Sequence, residues 1–312
     1  MNSSVKEKVK QDLISMADFS KADLEAVISL TKELKDNPLS QSNTLKNKNI
    51  ALIFAKPSLR TRISFEVGIN QLGGNPIIIK MDEIKIGTRE NVEDIANVLS
   101  KYVDAIVIRT YKQEEIEELG KHSTVPVING LSNEEHPCQT VADLFTIKET
   151  FPNTNSLKLA YLGDGNNITH SLLICSALAN INISIATPKE NKPNQKYIDI
   201  AKKINPNIKI EITDDPVKAA KDAHILYTDV WVSMGQENST NKKDIFQPYQ
   251  INKELMFHAN KDAIVLHCLP AHKDEEISSD TFNKYSKVIY RQAENRLHAQ
   301  KAILLKLISD RA

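Results

Sequence analysis

Short apolar runs alternate with helical segments along this 312-residue chain, and that alternation limits the folds open to it more than any other feature. Nine of the runs have the length of buried strands. They are NIALIFA (49–55), PIIIKM (76–81), AIVIRT (105–110), VPVING (125–130), LKLAYLG (157–163), ISIATP (183–188), IKIEI (208–212), ILYTDV (225–230) and AIVLHCL (263–269). Helical pieces lie between them, so the pattern predicts βαβ units and parallel sheets.

The length and the rhythm together predict two domains. A chain of 312 residues is long for a single core, and the strand–helix pattern restarts near residue 157. We therefore expect an α/β protein with two doubly wound parallel-sheet domains, joined near 140–155. The predicted helices cover 20–37 with Ser20 as N-cap, 58–74 with a closing glycine pair, 91–103, 140–151, 169–180 and the amphipathic segment 296–308.

Composition excludes several classes of partner. The 40 Lys and Arg residues balance the 40 Asp and Glu residues, so no net charge draws the chain to nucleic acid or to a membrane. No apolar run approaches the ~20 residues of a membrane span. The N-terminal 20 residues mix acids with bases and predict no targeting peptide. Three widely spaced cysteines predict free thiols and a reduced, cytoplasmic setting.

Most of the unusual polar chemistry follows directly after the predicted strands. The segments are KPSLRTR (56–62), RTY (109–111), NGLSNEEHPCQ (129–139), GDGNN (163–167), DVWVSMGQE (229–237) and HCLPAH (267–272). Ligands of open α/β sheets bind at the carboxyl ends of the strands. These segments are therefore the predicted site.

The first of these segments has the features of a phosphate-binding site. Ser58 can cap the following helix, whose free N–H groups and dipole favour an anion. Arg60 adds a bidentate fork and Thr61 adds a hydroxyl. Taken alone, Ser58 and Arg60 fit an ordinary cap and a surface cation equally well. The glycines of a nucleotide-triphosphate loop are missing.

Three further residues are candidates for stabilising a carbonyl oxygen. Arg109 ends an apolar strand, and His136 and Gln139 lie in a predicted loop before a helix. Together they could donate hydrogen bonds to an oxygen that gains charge in a tetrahedral transition state. The GDGNN segment is a weak dinucleotide signal, because Ile168 stands where a third glycine belongs.

The last two segments suit a small cationic ligand. Asp229 offers a carboxylate, and Ser233 and Met234 belong to a loop that can hold an aliphatic stem. Cys268 fits either an inert buried thiol or an acid/base network with Asp229 and a bound amine. The spacing of HCLPAH lacks the paired ligands of a zinc motif, so neither a metal nor a cofactor is predicted.

With these motifs assembled, the sequence resembles the aspartate/ornithine carbamoyltransferase family, and within it the ornithine-specific members. The motifs occur in order from about residue 12 to the C-terminus: KPSLRTRISFE, HPCQTVADLFTI, GDGNN, DVWVSMGQE, HCLPAH and AENRLHAQKA. The resemblance implies transfer of a carbamoyl group from carbamoyl phosphate to ornithine, giving citrulline, in arginine metabolism. It also implies a homotrimer, or a multiple of trimers, with sites near subunit interfaces.

The resemblance further implies a division of the chain between the two substrates. Residues 1–145 would bind carbamoyl phosphate, with helix 293–312 packed on them, and residues 146–292 would bind ornithine. Carbamoyl phosphate would contact Ser58, Leu59, Arg60, Thr61, Lys85, Arg109, His136, Gln139, Cys268, Leu269 and Arg296. Ornithine would contact Asn167, Asp229, Ser233 and Met234. The implied catalytic residues are Arg109, His136, Asp229, Cys268 and Arg296.

Two departures from the family pattern leave alternatives open. Leu59 stands where Thr is usual, and Lys85 stands where Gln is common. The S-L-R-T-R form also occurs in relatives that carbamoylate acylated ornithine. A carbamoyltransferase for putrescine or for N-acylated ornithine therefore remains an alternative, as does a catalytically silent phosphate-binding subunit.

Overall fold

The structure is a computed structural model that describes residues 10–55, 58–80, 90–231 and 242–309. All nine predicted strands are present within these ranges. They are β1 (Asn49–Phe54), β2 (Asn75–Lys80), β3 (Ala105–Arg109), β4 (Val127–Leu131), β5 (Lys158–Leu162), β6 (Asn182–Ala186), β7 (Ile210–Thr213), β8 (Ile225–Thr228) and β9 (Ile264–His267). Apolar runs of this kind form strands because helices cover both faces of a parallel sheet.

The helices of the described ranges connect and cover these strands. They are α1 (Lys21–Asp36), α2 (Leu59–Gln71), α3 (Val92–Leu99), α4 (Gln113–His122), α5 (Pro137–Thr150), α6 (Asn167–Ala179), α7 (Gln195–Ile204), α8 (Pro216–Ala220), α9 (Lys242–Phe246), α10 (Lys253–Met256) and α11 (Ser279–Ser309). Ser20 caps α1 through a reciprocal capping box with Asp23, as its sequence predicts. Gly73, at φ +82°, follows the end of α2.

The strands form two fully parallel sheets, which confirms the predicted fold class. The first has the order β2-β1-β3-β4, and the second has the order β7-β6-β5-β8-β9. The direction of winding reverses between β1 and β3 in the first sheet and between β5 and β8 in the second. Such reversals leave a crevice at the carboxyl ends of the strands, where α/β proteins bind ligands.

Helix α11 joins the two sheets. It packs on α1 and α2 beside the first sheet, as predicted, and also on α5 and on strand β9. The predicted start at residue 296 is wrong, because the helix begins at Ser279. Its middle turns bury Gln292 and Asn295, whose polar side chains interrupt the apolar stripe that marks a helix in sequence.

Two other helices differ from the sequence prediction. Helix α5 begins at Pro137 rather than residue 140, because proline suits the first helical position. Helix α4 is absent from the prediction. The predicted domain boundaries, 145/146 and 292/293, lie inside α5 and α11 and stay predictions. No helix in the described ranges is long and apolar enough to cross a membrane.

Candidate active site

Helix α2 begins without a side-chain cap. Ser58 occupies the N-cap position, but its hydroxyl makes no capping hydrogen bond, so the predicted cap is wrong. The side chain of Leu59 is 73% exposed, which leaves the backbone of this turn uncovered by it. The first-turn N–H groups of a helix attract an anion when no side chain satisfies them. Lys56 and Pro57 lie outside the described residues.

Thr61 is the point where two distant arginines meet. Its Oγ1 accepts hydrogen bonds from the guanidinium groups of Arg109 and Arg296, each at 3.1 Å. Arg109 comes from the end of β3 and Arg296 from α11. All three residues are buried. The sequence prediction that these positions share one site is consistent with this geometry.

A β-bulge in the neighbouring strand β4 lies beside Arg109. The register between β3 and β4 shifts between Ile108 and Arg109, so that Gly130 lies between their partners Asn129 and Leu131. A Cβ on Gly130 would lie 3.2 Å from the carbonyl oxygen of Ile108, which is tighter than most side chains tolerate. Bulges of this kind re-aim side chains beside active sites.

The arginine cluster is strongly cationic. Burial, followed by the charges of Arg296 and Arg60, lowers the pKa of Arg109 to about 10. Burial and the charges of all three arginines also hold the pKa of His136 well below its usual range, so its imidazole is neutral. The guanidinium groups still carry their charge at neutral pH.

Among the described residues, three buried side-chain nitrogens in this cluster have no hydrogen-bond partner. They are Nε of Arg109, Nε of Arg296 and Nδ1 of His136. Buried polar atoms without partners each cost about 1–3 kcal/mol, and native proteins keep few of them. An oxygen-rich anion in contact with these atoms would remove that cost.

Gln139 lies in the first turn of α5 instead of the predicted loop. Its side-chain carbonyl accepts a hydrogen bond from Arg296, and its amide group donates to Asp143 at 2.8 Å. His136 occupies the N-cap of α5, and its backbone N–H donates to Ser171 Oγ at 2.9 Å. Both residues are thus held next to the arginines by groups outside the cluster.

Asp229 and Cys268 form a hydrogen-bonded pair at the end of the second sheet. The Cys268 thiol donates to Asp229 Oδ1 at 2.9 Å. Burial, and then the negative charge of Asp229, raises the pKa of Cys268 well above its usual value, so the thiol is protonated. The charges of Arg60 and Arg109 also interact with this sulfur. Cys268 therefore bonds to Asp229 and also feels the positive charge of the arginine cluster.

Asn166 bonds to the second oxygen of the Asp229 carboxylate. Its amide group donates to Asp229 Oδ2 at 3.2 Å, while its carbonyl oxygen caps helix α6. The sequence prediction selected its neighbour Asn167 instead. The Asn167 amide donates to the backbone oxygen of Ser132 at 2.7 Å, across from the other sheet. Its second amide N–H is left for a ligand.

Of the remaining predicted residues, the structure describes Leu269 but not the other three. Leu269 lies directly after Cys268 with φ +57°, and its N–H donates to His267 Nδ1 at 2.9 Å. Lys85, Ser233 and Met234 lie outside the described residues.

A metal ion does not fit the donor atoms of this site. Asp229, His267 and Cys268 offer atoms within 4.8 Å of one another. However, His267 Nε2 bonds to Glu276 at 2.9 Å and its Nδ1 accepts the Leu269 N–H. The imidazole therefore has no nitrogen left, and the thiol keeps its proton. The three cysteines of the chain are free thiols.

Sequence reasoning missed three supporting residues: Asn166, Ser171 and Asp143. Asn166 belongs to the GDGNN segment, so its position beside Asn167 was a usable signal. Asp143 lies four residues after Gln139, on the same face of a helix. Nothing near Ser171 in the sequence indicates its contact with residue 136.

Comparison with known proteins agrees with this geometry. Residues 11–149 match the family domain described as aspartate/ornithine carbamoyltransferase, carbamoyl-P binding domain, and residues 155–307 match its Asp/Orn binding domain. The ornithine carbamoyltransferase of Carboxydothermus hydrogenoformans is 47% identical over 303 residues, covering 96% of this chain and 97% of that protein. That of Methanosphaera stadtmanae is 46% identical over 305 residues, covering 96% and 100%.

Solved structures give the same result. The ornithine carbamoyltransferase of Pyrococcus furiosus has a TM-score of 0.92 at 41% identity, covering 97% of this chain and 99% of that one. That of Gloeobacter violaceus has a TM-score of 0.87 at 44% identity, covering 96% and 99%. The two parallel sheets are thus those of a carbamoyl-transferring enzyme. The chain belongs to the aspartate/ornithine carbamoyltransferase family.

Proposed function

We propose that this enzyme transfers the carbamoyl group of carbamoyl phosphate to the side-chain amine of L-ornithine. The products are L-citrulline and phosphate, in arginine metabolism. The observation that carries the proposal is the set of buried side-chain nitrogens on Arg109, Arg296 and His136 that lack a partner among the described residues, together with the hydrogen-bonded pair of Cys268 and Asp229. The first group suits an anionic acyl donor, and the carboxylate suits a cationic amino acid.

The phosphate of the donor would lie at the start of α2. The first-turn N–H groups, the Ser58 hydroxyl and the Arg60 fork are the groups available there. The exposed side chain of Leu59 supports a backbone contact at this position, so its departure from the family pattern leaves the phosphate-binding site intact.

The carbonyl oxygen of the donor would lie on Arg109, His136 and Arg296. These groups are fixed before the substrate arrives, so they stabilise developing negative charge without rearranging. Gln139 and the backbone of Leu269 would hold the carbamoyl nitrogen and keep the carbonyl carbon facing the acceptor.

The acceptor would lie between Asp229 and Asn167. The carboxylate of Asp229 would bind the α-amino group of ornithine, and the remaining N–H of Asn167 would bind its carboxylate. Ser233 and Met234 complete this half in our proposal. Putrescine lacks an α-carboxylate and N-acylated ornithine lacks a free α-amino group, so neither uses both contacts.

The reaction needs a neutral amine, because an alkyl ammonium with a pKa near ~10 cannot attack. The ammonium first gives a proton to the Cys268 sulfur, which passes its own proton to the Asp229 carboxylate. The lone pair of the resulting neutral amine adds to the carbonyl carbon, the carbon–oxygen bond to phosphate breaks, and the departing phosphate takes the second proton of the amine. Positioning and oxyanion stabilisation supply most of the acceleration.

The same proposal covers the organisation of the molecule. Residues 1–145 with 293–312 form the donor domain, and residues 146–292 form the acceptor domain. Leu59, Ile63 and Val67 form an exposed apolar stripe along α2. Another subunit that covers this stripe would lie beside the donor pocket, which supports a homotrimer with sites near its interfaces. The three free thiols suit the cytoplasm.

A citrulline assay with three acceptors tests the proposal. Purified enzyme with carbamoyl phosphate should use ornithine with a kcat/KM at least about 100-fold above that for putrescine or N-acetylornithine. A preference for either alternative amine would identify a different carbamoyltransferase. No carbamoylated product with any of them would indicate a silent phosphate-binding subunit.

A further inference from the structure

Asp143 is a fully buried carboxylate that none of the proposed steps uses. It lies on α5, and its oxygens accept hydrogen bonds from Gln139 at 2.8 Å, from Gln292 at 2.7 Å and from the Tyr227 hydroxyl at 3.0 Å. Among the described residues it forms no ion pair. An isolated buried carboxylate is costly and would be replaced by an apolar residue if packing were its purpose.

We propose that Asp143 is a positioning residue that supplies the buried counter-charge of the arginine cluster, and that it acts on Arg296 through the side-chain amide of Gln139. This inference rests on the proposed function, because the cluster is the donor site of that function.

The hydrogen bonds give the direction of this relay. An ionised carboxylate can only accept, so the Gln139 amide must turn its NH₂ group toward Asp143. Its carbonyl oxygen then points to Arg296, from which it accepts a hydrogen bond. Gln292 is oriented in the same way, and its carbonyl oxygen accepts the backbone N–H of His267 at 2.9 Å, next to Cys268. One carboxylate thereby orients groups on both sides of the site.

The charges around Asp143 support the role. Arg60, Arg109 and Arg296 bring positive charge to the cluster, and the charge of Asp143 favours the protonated form of Arg296. Burial raises the pKa of Asp143 to about 6, so it is ionised at neutral pH.

The titratable groups packed nearest Asp143 on other elements are neutral. Burial raises the pKa of Cys175 on α6 to about 12, and it raises those of Tyr227 and Cys268 well above their usual values. The negative charge opposite Arg296 on this side is therefore that of Asp143.

This role predicts that removing the Asp143 charge strengthens anion binding instead of weakening it. Removing the counter-charge makes the pocket more positive, so an anion should bind more tightly. A purely structural role predicts weaker binding, because loosened packing would displace the arginines. A unit charge about 10 Å from a singly charged anion, at an effective dielectric constant of about 20 and with partial screening by salt, changes the affinity roughly three- to tenfold.

The experiment measures the dissociation constant of inorganic phosphate by titration calorimetry on the full-length chain. Asp143→Asn removes the charge and keeps the size. Thr146→Val is the matched control, because Thr146 is also buried on α5 and accepts a hydrogen bond from Asn295 on α11 at 2.8 Å. Asp143→Asn should bind phosphate roughly three- to tenfold more tightly than the parent. Thr146→Val should match the parent.

Equal or weaker binding by Asp143→Asn overturns the inference and leaves the proposed function intact. Absence of phosphate binding by the parent itself overturns the proposed donor site, and this inference with it. If Asp143→Asn does not fold, Asp143→Ser repeats the test with a smaller neutral residue, and the same tightening is expected.

Discussion

The pocket around Arg109 and the pocket around Asp229 are both buried, but their polar atoms are satisfied to different degrees. Within the part of the chain that the structure describes, Arg109, Arg296 and His136 each keep a buried side-chain nitrogen without a hydrogen-bond partner. Both oxygens of Asp229, in contrast, accept hydrogen bonds, from Cys268, from Asn166 and from the N–H of Val230. The arginine cluster, which would bind the carbamoyl donor and is called the donor half, therefore keeps polar atoms that an anion would satisfy. In the acceptor half, around Asp229, the carboxylate itself already has partners within the protein.

This difference favours an order of binding. Unpartnered buried donors raise the free energy of the empty protein, and an anion that bonds to them removes that cost. The acceptor must instead compete with hydrogen bonds that Asp229 and Asn167 already make. Carbamoyl phosphate should bind first, and its charge should then help to attract the cationic acceptor.

The largest expected effect is a loss of activity when an arginine of the donor half is replaced. Arg109→Met removes a guanidinium group that has one hydrogen bond and an unpartnered Nε. We expect kcat/KM for carbamoyl phosphate to fall by about 1,000-fold, because a preorganised oxyanion donor is lost. The melting temperature should stay the same or rise, since an incompletely paired buried charge is removed.

Arg291→Met is the matched control. Arg291 lies on α11, and among the described residues its Nε likewise has no hydrogen-bond partner. Unlike Arg109, however, it has a counter-charge, since its Nε lies 3.7 Å from a carboxylate oxygen of Glu149, and its guanidinium group donates to Thr150 at 2.8 Å. Its loss should lower the melting temperature and leave steady-state kinetics unchanged. A large loss of stability in Arg109→Met would contradict the claim that the unpartnered nitrogens of the donor half destabilise the empty protein.

A somewhat smaller effect is expected from the acceptor half. Asp229→Asn removes the negative charge that would bind the α-amino group, and it replaces one of the two accepting oxygens by an NH₂ group that can only donate. We expect kcat/KM for ornithine to fall by about 100-fold. The dissociation constant of carbamoyl phosphate should change little. If donor binding fails while ornithine binding persists, the two halves are assigned the wrong way round.

The smallest expected effect is on the pH dependence of stability, and it concerns Glu135. Its buried carboxylate accepts from Met16 N–H at 3.0 Å and from Ser171 at 3.1 Å. Burial raises its pKa to about 7. A carboxyl whose pKa is higher in the folded state contributes stability below its ordinary pKa, and that contribution disappears as the pH rises through the folded value.

Glu135→Gln should remove this dependence. Between about pH 5 and about pH 8, the free energy of unfolding of the parent should decline relative to the variant by on the order of 2 kcal/mol. Denaturant titrations at several pH values measure the difference. Parallel pH profiles for the two proteins would show that Glu135 does not titrate in this window.

Most of the fold could be predicted from the sequence, because parallel strands are continuous apolar runs. Helix α11 was only partly predictable. Its residues 279–295 bury polar side chains, such as Gln292, whose partners Asp143 and His267 lie far away in the chain. A pattern of apolar spacing contains no signal for hydrogen bonds of that kind.

The site divides in the same way. Residues at strand ends, such as Arg109 and Asp229, could be predicted because strand ends mark ligand sites in this architecture. Asn166 and Asp143 could not be assigned roles, since these depend on which distant side chains they meet. The uncapped start of α2 was also hidden, because Ser58 in sequence is an ordinary N-cap.

A bisubstrate mimic tests the central claim most directly, since it must occupy both halves at once. The probe is N-(phosphonoacetyl)-L-ornithine, measured by titration calorimetry on the parent, on Arg109→Met and on Asp229→Asn. The parent should bind it at least about 100-fold more tightly than either variant. Failure of the parent to bind the mimic, or undiminished binding by both variants, would contradict a site built from these two halves.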